Sequence, residues 1–425
     1  MNRLQFIATL AGLPALPALA QKMATSTPTA QAGALKNELF WEQLRQDFYL
    51  DDKCLDLRAF AVSPVPTATL DQVVRDYRHI QQLPSLRGYE PAAGSQEALR
   101  VKIARELNCA PAEVALMRST TEALNNALMG VRLQPGDEVL ASRHEYDSML
   151  GSLYQRQQRE GIVVRQVTVP YQPSSAEQIM ACFKRSVTPK TRLLLLSHIV
   201  WISGQIYPIE ELCQWARERG IVTVIDAAQS FSHLPIDVAQ IGCDYLGAPL
   251  HKWCAGPLGT GFLYVRQERI AHTYPLAGHF AYAADSDRIE KFENFGALMP
   301  VFPAGCASLD YWHALGLAAK QARMQFLKEY WMDKLRAIPG VEIVTNRAAA
   351  HSCGIGFFRV KNRSAGQLKA QLLERHGIVV QAVEAYKNRN VDYQNVNAVG
   401  IATPVFVLPA HLDRFAAGLK AVLDA

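Results

Sequence analysis

One lysine in the sequence has a setting suited to chemistry. Lys252 stands in GAPLHKWCAGPLG, residues 247–259, between a histidine and a tryptophan, with glycine and proline on both sides. A lysine amine becomes a nucleophile toward carbonyl groups when burial lowers its pKa, and Pro249, Leu250 and Trp253 are apolar neighbours that would bury it. The glycines let a ligand approach the backbone closely. We therefore predict that Lys252 forms a Schiff base with a carbonyl cofactor.

A carboxylate is expected beside this lysine. Asp226 ends the apolar run IVTVID, which predicts a strand, and ligands of parallel α/β sheets bind outside the carboxyl ends of strands. Gln229 follows on the same turn, and DYLGAP predicts the next strand, which brings Lys252 back beside Asp226. An aspartate opposite a pyridine nitrogen keeps it protonated, so that the ring withdraws electrons. The pair predicts pyridoxal 5′-phosphate as cofactor; the alternative is that Asp226 only caps the following segment.

A phosphate would need hydrogen-bond donors, and RSTTEALN offers them. Ser119 or Thr120 caps a predicted helix, and together with Thr121 they place hydroxyl and free N–H groups at its positive end. His251 would add a donor, with a structural turn histidine as the alternative. Tyr146, in SRHEYDSM after a predicted strand, would stack on the cofactor ring, although a lone tyrosine there is more often part of the core.

The segments around these residues alternate between strands and helices. EVALM, DEVLAS, VVRQVTV, TRLLLLSHI, IVTVID and DYLGAP predict strands, and PIEELCQWARERG predicts an amphipathic helix that stops at Gly220. This order predicts a mainly parallel sheet flanked by helices. Beyond residue 300 we expect one long helix over about 308–338, the strands GVEIVT, CGIGFFRV and GIVVQAV, and a terminal helix at AHLDRFAAGLKAVL. The predicted fold class is α/β, with a large cofactor-binding domain over residues 36–300 and a smaller C-terminal α/β domain over 301–425.

Length and composition set the class of protein. A chain of 425 residues with 49% hydrophobic and 20% charged residues is globular and long enough for two domains. The net charge of +5 is spread without a basic run, so nucleic acid is not an expected partner. Eight scattered cysteines without a C-x-x-C pair predict no metal site.

The N-terminus has the pattern of a secretory signal peptide. Arg3 precedes an apolar stretch with two prolines, and the stretch ends in the small-x-small sequence Ala18-Leu19-Ala20. We expect residues 1–20 to be a signal peptide, 21–35 a linker, and the mature protein to be periplasmic with no membrane segment. The export route stays open, because NRLQFIA resembles a twin-arginine signal with only one arginine. The alternative is a frayed apolar N-terminus on a cytoplasmic protein.

Five segments together carry a family resemblance. RSTTEALN, HEYDS, SHIVWISGQIYPI, VIDAAQS and HKWCAGPLGTGFLYV resemble the class V aminotransferase family, and the chain most resembles its isopenicillin N epimerase-like branch over about residues 50–420. The resemblance implies the pyridoxal-phosphate fold type I and a homodimer with residues of both chains at each site. It also implies the role of each site residue: Lys252 bonds to the cofactor, Asp226 pairs with the pyridine nitrogen, Gln229 contacts the ring hydroxyl, Tyr146 stacks, and Thr120, Thr121 and His251 hold the phosphate.

Three positions depart from the family pattern. Gly400, in VGIATPVF, stands where the family usually has the arginine that grips the substrate α-carboxylate. Ala297, in FENFGA, replaces a threonine that reaches the neighbouring chain's phosphate, and no cysteine matches the desulfurase loop. Arg58 is our hypothesis for a group that binds an anionic substrate, and Lys387 and Arg389 lie in a loop shortly before Gly400.

These features predict a pyridoxal-phosphate enzyme that acts on the amino group of a small molecule or peptide. The chemistry would be aminotransferase-like or epimerase-like, and the leader with the altered carboxylate grip suits peptide or siderophore tailoring, as in the periplasmic pyoverdine-tailoring members of the family. Transfer, epimerisation, elimination and decarboxylation remain open. The rivals are a carbon–sulfur lyase acting on a cysteine-derived substrate and a binding protein that keeps the pocket without turnover.

Overall fold

The computed structural model describes residues 37–51, 53–87, 92–173, 175–294, 301–384, 387–388, 391–392 and 396–425. The predicted signal peptide and linker lie outside the described residues, as do Ala297 and Arg389. Lys387 lies in a described strand, but its side chain is not described. Among the helices in these ranges, none is long and apolar enough to cross a membrane.

A seven-stranded sheet forms the centre of the chain, in the order β2-β8-β7-β6-β5-β3-β4. Its strands are β2 (Val114–Met117), β3 (Glu138–Ser142), β4 (Val163–Val167), β5 (Thr191–Ser197), β6 (Val222–Asp226), β7 (Tyr245–Pro249) and β8 (Gly261–Val265). Strands β4, β3, β5, β6 and β7 run parallel, and β8 is antiparallel to β7 and β2. The expected mainly parallel sheet is therefore confirmed, and its apolar central strands are buried on both faces.

Helices cover this sheet and continue to the C-terminus. They are α1 (Glu38–Arg45), α2 (Thr67–Gln82), α3 (Pro84–Arg87), α4 (Ala92–Leu107), α5 (Thr120–Gly130), α6 (Asp147–Glu160), α7 (Ala176–Ser186), α8 (Ile209–Arg217), α9 (Val238–Ile241), α10 (Gln267–Ile270), α11 (Phe302–Leu315), α12 (Leu317–Arg336), α13 (Ala365–His376) and α14 (Pro409–Asp424). The helix expected after RSTT begins as predicted, with Ser119 as its cap.

A second sheet follows in the order β12-β15-β10-β9, beside two small two-stranded sheets. The remaining strands are β1 (Leu55–Asp56), β9 (Val341–Ile343), β10 (Ile355–Val360), β11 (Ile378–Val379), β12 (Gln381–Val383), β13 (Lys387–Asn388), β14 (Val391–Asp392) and β15 (Ala398–Ala402). Strand β1 pairs in parallel with β11, so the N-terminal segment is joined to the C-terminal part of the chain.

Two expectations about the C-terminal half were wrong in detail. The single long helix over 308–338 is two helices, α11 and α12, which break at Gly316 where φ is +87°. Glycine adopts this conformation at low cost, and the apolar pattern on either side does not reveal the break. The run GIVVQAV is also two strands, because β11 pairs with β1 whereas β12 joins the four-stranded sheet.

Close packing of α5 on β7 prepares one edge of the large sheet. A Cβ atom at Gly247 would lie 2.7 Å from Leu124 Cδ2, so glycine lets the helix lie directly on the strand. Strands β3, β5, β6 and β7 end at the same edge, with Ser197 and Asp226 opposite each other in register. The N-terminus of α5 and the carboxyl ends of parallel strands are where such sheets bind anionic ligands.

Candidate active site

Lys252 and Asp226 are electrostatic partners at this edge of the sheet. Lys252 is half-buried just after β7, and burial lowers the pKa of its amine, whereas the negative charge of Asp226 acts in the opposite direction. Burial raises the pKa of Asp226, while the Ala228 N–H, 2.8 Å from Asp226 Oδ1, and the charge of Lys252 favour its anion. The structure therefore brings together the two side chains that the sequence predicted to be neighbours.

The predicted phosphate end contains donors with vacant hydrogen-bonding capacity. Ser119 Oγ accepts from the Glu122 N–H at 3.1 Å, which caps α5. Thr120 Oγ1 and His251 Nδ1 are both buried, and neither has a hydrogen-bond partner among the described residues. Burial and the charge of Lys252 lower the pKa of His251 to about 4, so its ring is neutral near pH 7. Thr121, in contrast, is exposed on the first turn.

Gln229 holds the Lys252 turn rather than pointing freely into the site. Its Oε1 accepts from the indole N–H of Trp253 at 2.9 Å, and its Nε2 donates to the carbonyl of Phe60 at 3.0 Å. The amide has one further N–H, which is the group left for a cofactor hydroxyl. The family resemblance implies a contact with the ring hydroxyl, but the two contacts that orient the amide have no signature in the sequence.

The N-terminal segment forms part of the same site. The Ser63 N–H donates to the carbonyl of His251 at 2.9 Å, next to the Phe60 contact with Gln229. Arg58 lies at the beginning of this segment, half-buried, with its Nε 3.7 Å from Asp56 Oδ1. Arg58 thus begins a segment in which Phe60 and Ser63 contact Gln229 and His251, and its role in binding a substrate stays a hypothesis.

Tyr146 follows β3 and is 44% exposed. It precedes α6 directly, and its ring packs edge-on against Trp201, with centroids 5.9 Å apart. The alternative that Tyr146 belongs to the core is wrong, because a core side chain would not expose nearly half of its surface. An exposed aromatic face at this position is available to a planar ligand.

The space beside Gly400, where the family resemblance predicts an arginine, is filled by an aromatic ring. Gly400 lies on β15 opposite Phe357 of β10, and a Cβ atom at Gly400 would lie 2.3 Å from two ring atoms of Phe357. Phe357 is fully buried and packs against Phe60, with ring centroids 6.2 Å apart. An arginine side chain at this position therefore requires displacement of Phe357.

Burial makes most of the cysteines poor nucleophiles. All eight are free thiols, and five of them are buried. Burial raises the pKa of Cys109, Cys213, Cys254 and Cys353 to about 12, and of Cys306 to about 11. A thiol with such a pKa is almost entirely protonated near pH 7, so these five do not supply a thiolate.

Two buried ionisable residues near the site were missed by sequence analysis. Lys320, on α12, donates from its Nζ to the carbonyl of Trp253 and to Ser232 Oγ, and its ammonium lies 3.8 Å from the Trp312 ring centroid. Glu145 is fully buried at the end of β3. The sequence offered one sign of Glu145, its position directly before Tyr146, but it does not show which strands surround the side chain.

The donor set fits pyridoxal phosphate. Thr120 Oγ1 and His251 Nδ1 are buried polar atoms without a partner in the described part of the chain, which is costly unless a ligand satisfies them. A phosphate at the positive end of α5 would accept from Thr120 Oγ1 and, in the tautomer that carries the proton on Nδ1, from His251. Asp226 and Lys252 meet the needs of the pyridine nitrogen and the aldehyde, respectively.

Comparison with known proteins agrees with this architecture. The aminotransferase class-V family matches residues 57–389. Isopenicillin N epimerase from Streptomyces clavuligerus is 29% identical, over 81% of this chain and 90% of its own. "Probable cysteine desulfurase" from Xylella fastidiosa is 28% identical, over 90% and 95%. A structure of mutant C-DES with glycine covalently linked to its PLP cofactor has a TM-score of 0.76 and 22% identity, covering 88% of this chain and 98% of that one.

The fold and the lysine–aspartate site define a cofactor-dependent α/β enzyme of the pyridoxal-phosphate fold type I. Within that class, the chain belongs to the aminotransferase class V family and resembles its epimerase-like branch, as the sequence predicted. Membership confirms the expected kind of enzyme and its cofactor, pyridoxal phosphate, and leaves the reaction open.

Proposed function

We propose that this enzyme rearranges bonds at the carbon that carries an amino group in a small-molecule or peptide amine, with Lys252 as the catalytic residue. The observation that carries the proposal is the Lys252–Asp226 pair beside the vacant donors Thr120 Oγ1 and His251 Nδ1. A carbon–sulfur lyase acting on a cysteine-derived substrate would use the same Lys252–Asp226 pair, so it is the second candidate and only substrate tests separate the two. A desulfurase mechanism that needs an enzyme thiolate is disfavoured, because burial raises the pKa of five of the eight thiols.

Each predicted site residue has a role that its surroundings support. Asp226 faces the pyridine nitrogen, and Gln229 offers its remaining N–H to the ring hydroxyl. Tyr146 covers the ring, and Thr120 and His251 bind the phosphate together with the backbone N–H groups at the start of α5. Thr121, which is exposed in the single chain, completes the phosphate site at its outer side.

The chain's own residues move the proton. When bound, pyridoxal phosphate supplies an electron-withdrawing ring that stabilises negative charge on the carbon next to the substrate nitrogen. Burial lowers the pKa of Lys252, so its amine is more readily neutral than a surface lysine and can accept a proton from that carbon and return it. The reactions that remain open differ in where the proton returns: to the same face of the carbon, to its opposite face or to another atom.

The test is the visible absorption spectrum of the purified protein with added pyridoxal phosphate, compared with Lys252→Ala. We expect a band in the wild type that shifts when a substrate amine is added and that is reduced to the spectrum of free cofactor in Lys252→Ala. Glu218→Gln is the control and should keep the band, because Glu218 is exposed at the end of α8, before β6 begins, and so lies at the opposite end of that strand from Asp226. A wild type without a band at saturating cofactor would refute the proposal.

We further propose a homodimer. Helix α2 buries only Thr69, while Leu70, Val74 and Tyr77 on the same helix are between 38% and 55% exposed, which is an apolar surface suited to a second copy. Light scattering should give twice the mass of the purified chain, which is 47.1 kDa before removal of the signal peptide. Val74→Glu, which places a charge in this surface, should give the mass of one chain, and a monomeric wild type would contradict the proposal.

We propose export to the periplasm, with a peptide or siderophore amine as substrate. The N-terminal pattern of residues 1–20 supports export, and the aromatic filling beside Gly400 supports a substrate without a free α-carboxylate at that point. Cell fractionation should find the protein in the periplasm, and N-terminal sequencing should find Gln21 first. Recovery of an uncleaved chain from the cytoplasm would contradict export and would leave the proposed chemistry unaffected.

A further inference from the structure

A second carboxyl group lies behind Asp226. Glu145 is fully buried, and its two oxygens accept from two serine hydroxyls, Ser142 Oγ at 2.7 Å and Ser197 Oγ at 2.5 Å. Ser197 is the register partner of Asp226 across β5 and β6. Neighbouring strands are only about 4.8 Å apart, so the hydroxyl that binds Glu145 stands beside the residue predicted to face the cofactor.

Two buried carboxylates at one edge of a sheet do not both ionise at low cost. Moving a second negative charge into a region of low dielectric constant next to the first is opposed by both desolvation and repulsion. The positive charge of Lys252 and the Ala228 N–H favour the anion of Asp226. Hydrogen bonds from Ser142 and Ser197 favour the anion of Glu145, whereas the negative charge of Asp226 opposes its ionisation.

We propose that Glu145 is a positioning residue that holds a proton beside Asp226, so that the carboxyl pair carries a single negative charge and Asp226 is its charged member. The inference rests on the proposed function only in giving Asp226 its task of facing a pyridine nitrogen. Glu145 then prevents a second charge from accumulating behind Asp226, and its link through Ser197 fixes the end of β5 against the end of β3.

Burial raises the pKa of Glu145 to about 7, which agrees with this arrangement. Two titratable groups interact with the pair: Tyr207, on which the charge of Glu145 acts, and Lys252, on which the charge of Asp226 acts. His144 and Asp147 lie within two residues of Glu145, His198 follows Ser197, and Tyr171 and Cys182 act on Tyr207. Burial lowers the pKa of both His144 and His198 to about 4, so both rings are neutral near pH 7. Asp147, with a pKa raised to about 6, is the group whose titration must be separated from that of Glu145.

The experiment is infrared difference spectroscopy of the cofactor-free protein over a pH series, which detects the carbonyl stretch of protonated carboxylic acids. In the wild type, one such band should disappear as pH rises through about 7. Glu145→Gln should lack this step, whereas the control Asp147→Asn should keep it. Asp226→Asn should move the step to lower pH, because the opposing charge is gone. An unmoved step in Asp226→Asn, or a step that survives in Glu145→Gln, would overturn the proposal.

Two additions keep the result decisive. If Glu145→Gln does not fold, Ser197→Ala should instead move the step to higher pH, since the anion loses a donor; an unmoved step then overturns the proposal. Loading the wild type with pyridoxal phosphate should move the step to lower pH, because a pyridinium cation offsets the charge of Asp226. Failure to bind the cofactor would count against the proposed function alone, since the cofactor-free series still decides the carboxyl pair.

Discussion

The Gly400–Phe357 contact gives a sharp test of why this chain has no arginine at that position. A Cβ atom at Gly400 would lie 2.3 Å from the Cε1 and Cζ atoms of Phe357 and 2.9 Å from its Cδ1 atom. Unstrained carbon contacts need about 3.5 Å or more, so Gly400→Ala requires the ring to move by about 1 Å. The ring is fully buried against Phe60 and has little free space to enter. We therefore expect Gly400→Ala to reduce the free energy of unfolding by about 1–3 kcal/mol, the usual cost of overpacking.

The assay is the unfolding midpoint of four proteins under one condition. Gly400→Ala should be destabilised, and so should Phe357→Leu, which removes part of the buried ring. The double variant should be more stable than the sum of the two losses predicts, because a smaller side chain makes room for the added methyl group. Gly151→Ala, at a helical glycine where a Cβ meets nothing within 4 Å, is the control and should be neutral or slightly stabilising.

One outcome would refute the reasoning directly. If Gly400→Ala has the same unfolding midpoint as the wild type, and the double variant has the midpoint of Phe357→Leu, the ring of Phe357 is not fixed by its neighbours. An arginine at Gly400 would then be compatible with this sheet, and its absence would need a different explanation from the filling of the space.

Two further predictions concern residues around the site. Ser119→Ala removes the oxygen that accepts from the Glu122 N–H, so we expect a loss of about 1 kcal/mol in unfolding free energy, measured by denaturant titration; an unchanged midpoint would contradict the cap. Burial lowers the pKa of Lys320 from 10.5 to about 7. Between these two pH values the unfolded chain binds more protons than the folded chain, so the free energy of unfolding rises with pH from 7 toward 10.5. Lys320→Met should abolish that rise, which amounts to up to about 5 kcal/mol, in thermal unfolding across this pH range; an identical slope in both proteins would show that Lys320 titrates normally.

The large sheet was predictable because its strands carry their own signal. A run such as TRLLLLSHI is too continuously apolar for an exposed strand, and β5 indeed lies in the middle of a parallel sheet. The order of strands and helices then requires that the ends of these strands share one edge. Asp226 and Lys252 could be placed together on this ground alone.

Breaks and partners of short elements could not be predicted in the same way. Gly316 interrupts two helices whose sequences read as one, because the apolar positions continue on both sides. Strand β11 pairs with β1, which is more than three hundred residues away in sequence, and no local pattern encodes such a pairing. The contact of Phe60 and Ser63 with Gln229 and His251 was missed for the same reason.

The sequence predicted which polar residues belong to the site more often than it predicted which groups they bind. Gln229 was assigned to the cofactor from its place on the Asp226 turn, but two of its three hydrogen-bonding groups already bind Trp253 and Phe60. Glu145 was overlooked because its meaning depends on Ser197, which reaches it from another strand. A residue whose function lies in a contact across the sheet has no signature within its own segment.

The filling of the Gly400 position bears on the choice of substrate. Phe357 and Phe60 are buried apolar side chains where the family resemblance predicts a cation, and the carbonyl of Phe60 accepts from Gln229, which also binds Trp253 next to Lys252. A free carboxylate placed at that position without a compensating charge would be costly to desolvate. A peptide amine, whose carboxyl carbon is in an amide bond, avoids that cost. Arg58, two residues before Phe60 in the same segment, is our hypothesis for the cation that binds an anionic substrate group, and its Nε lies 3.7 Å from Asp56 Oδ1, which partly offsets its charge.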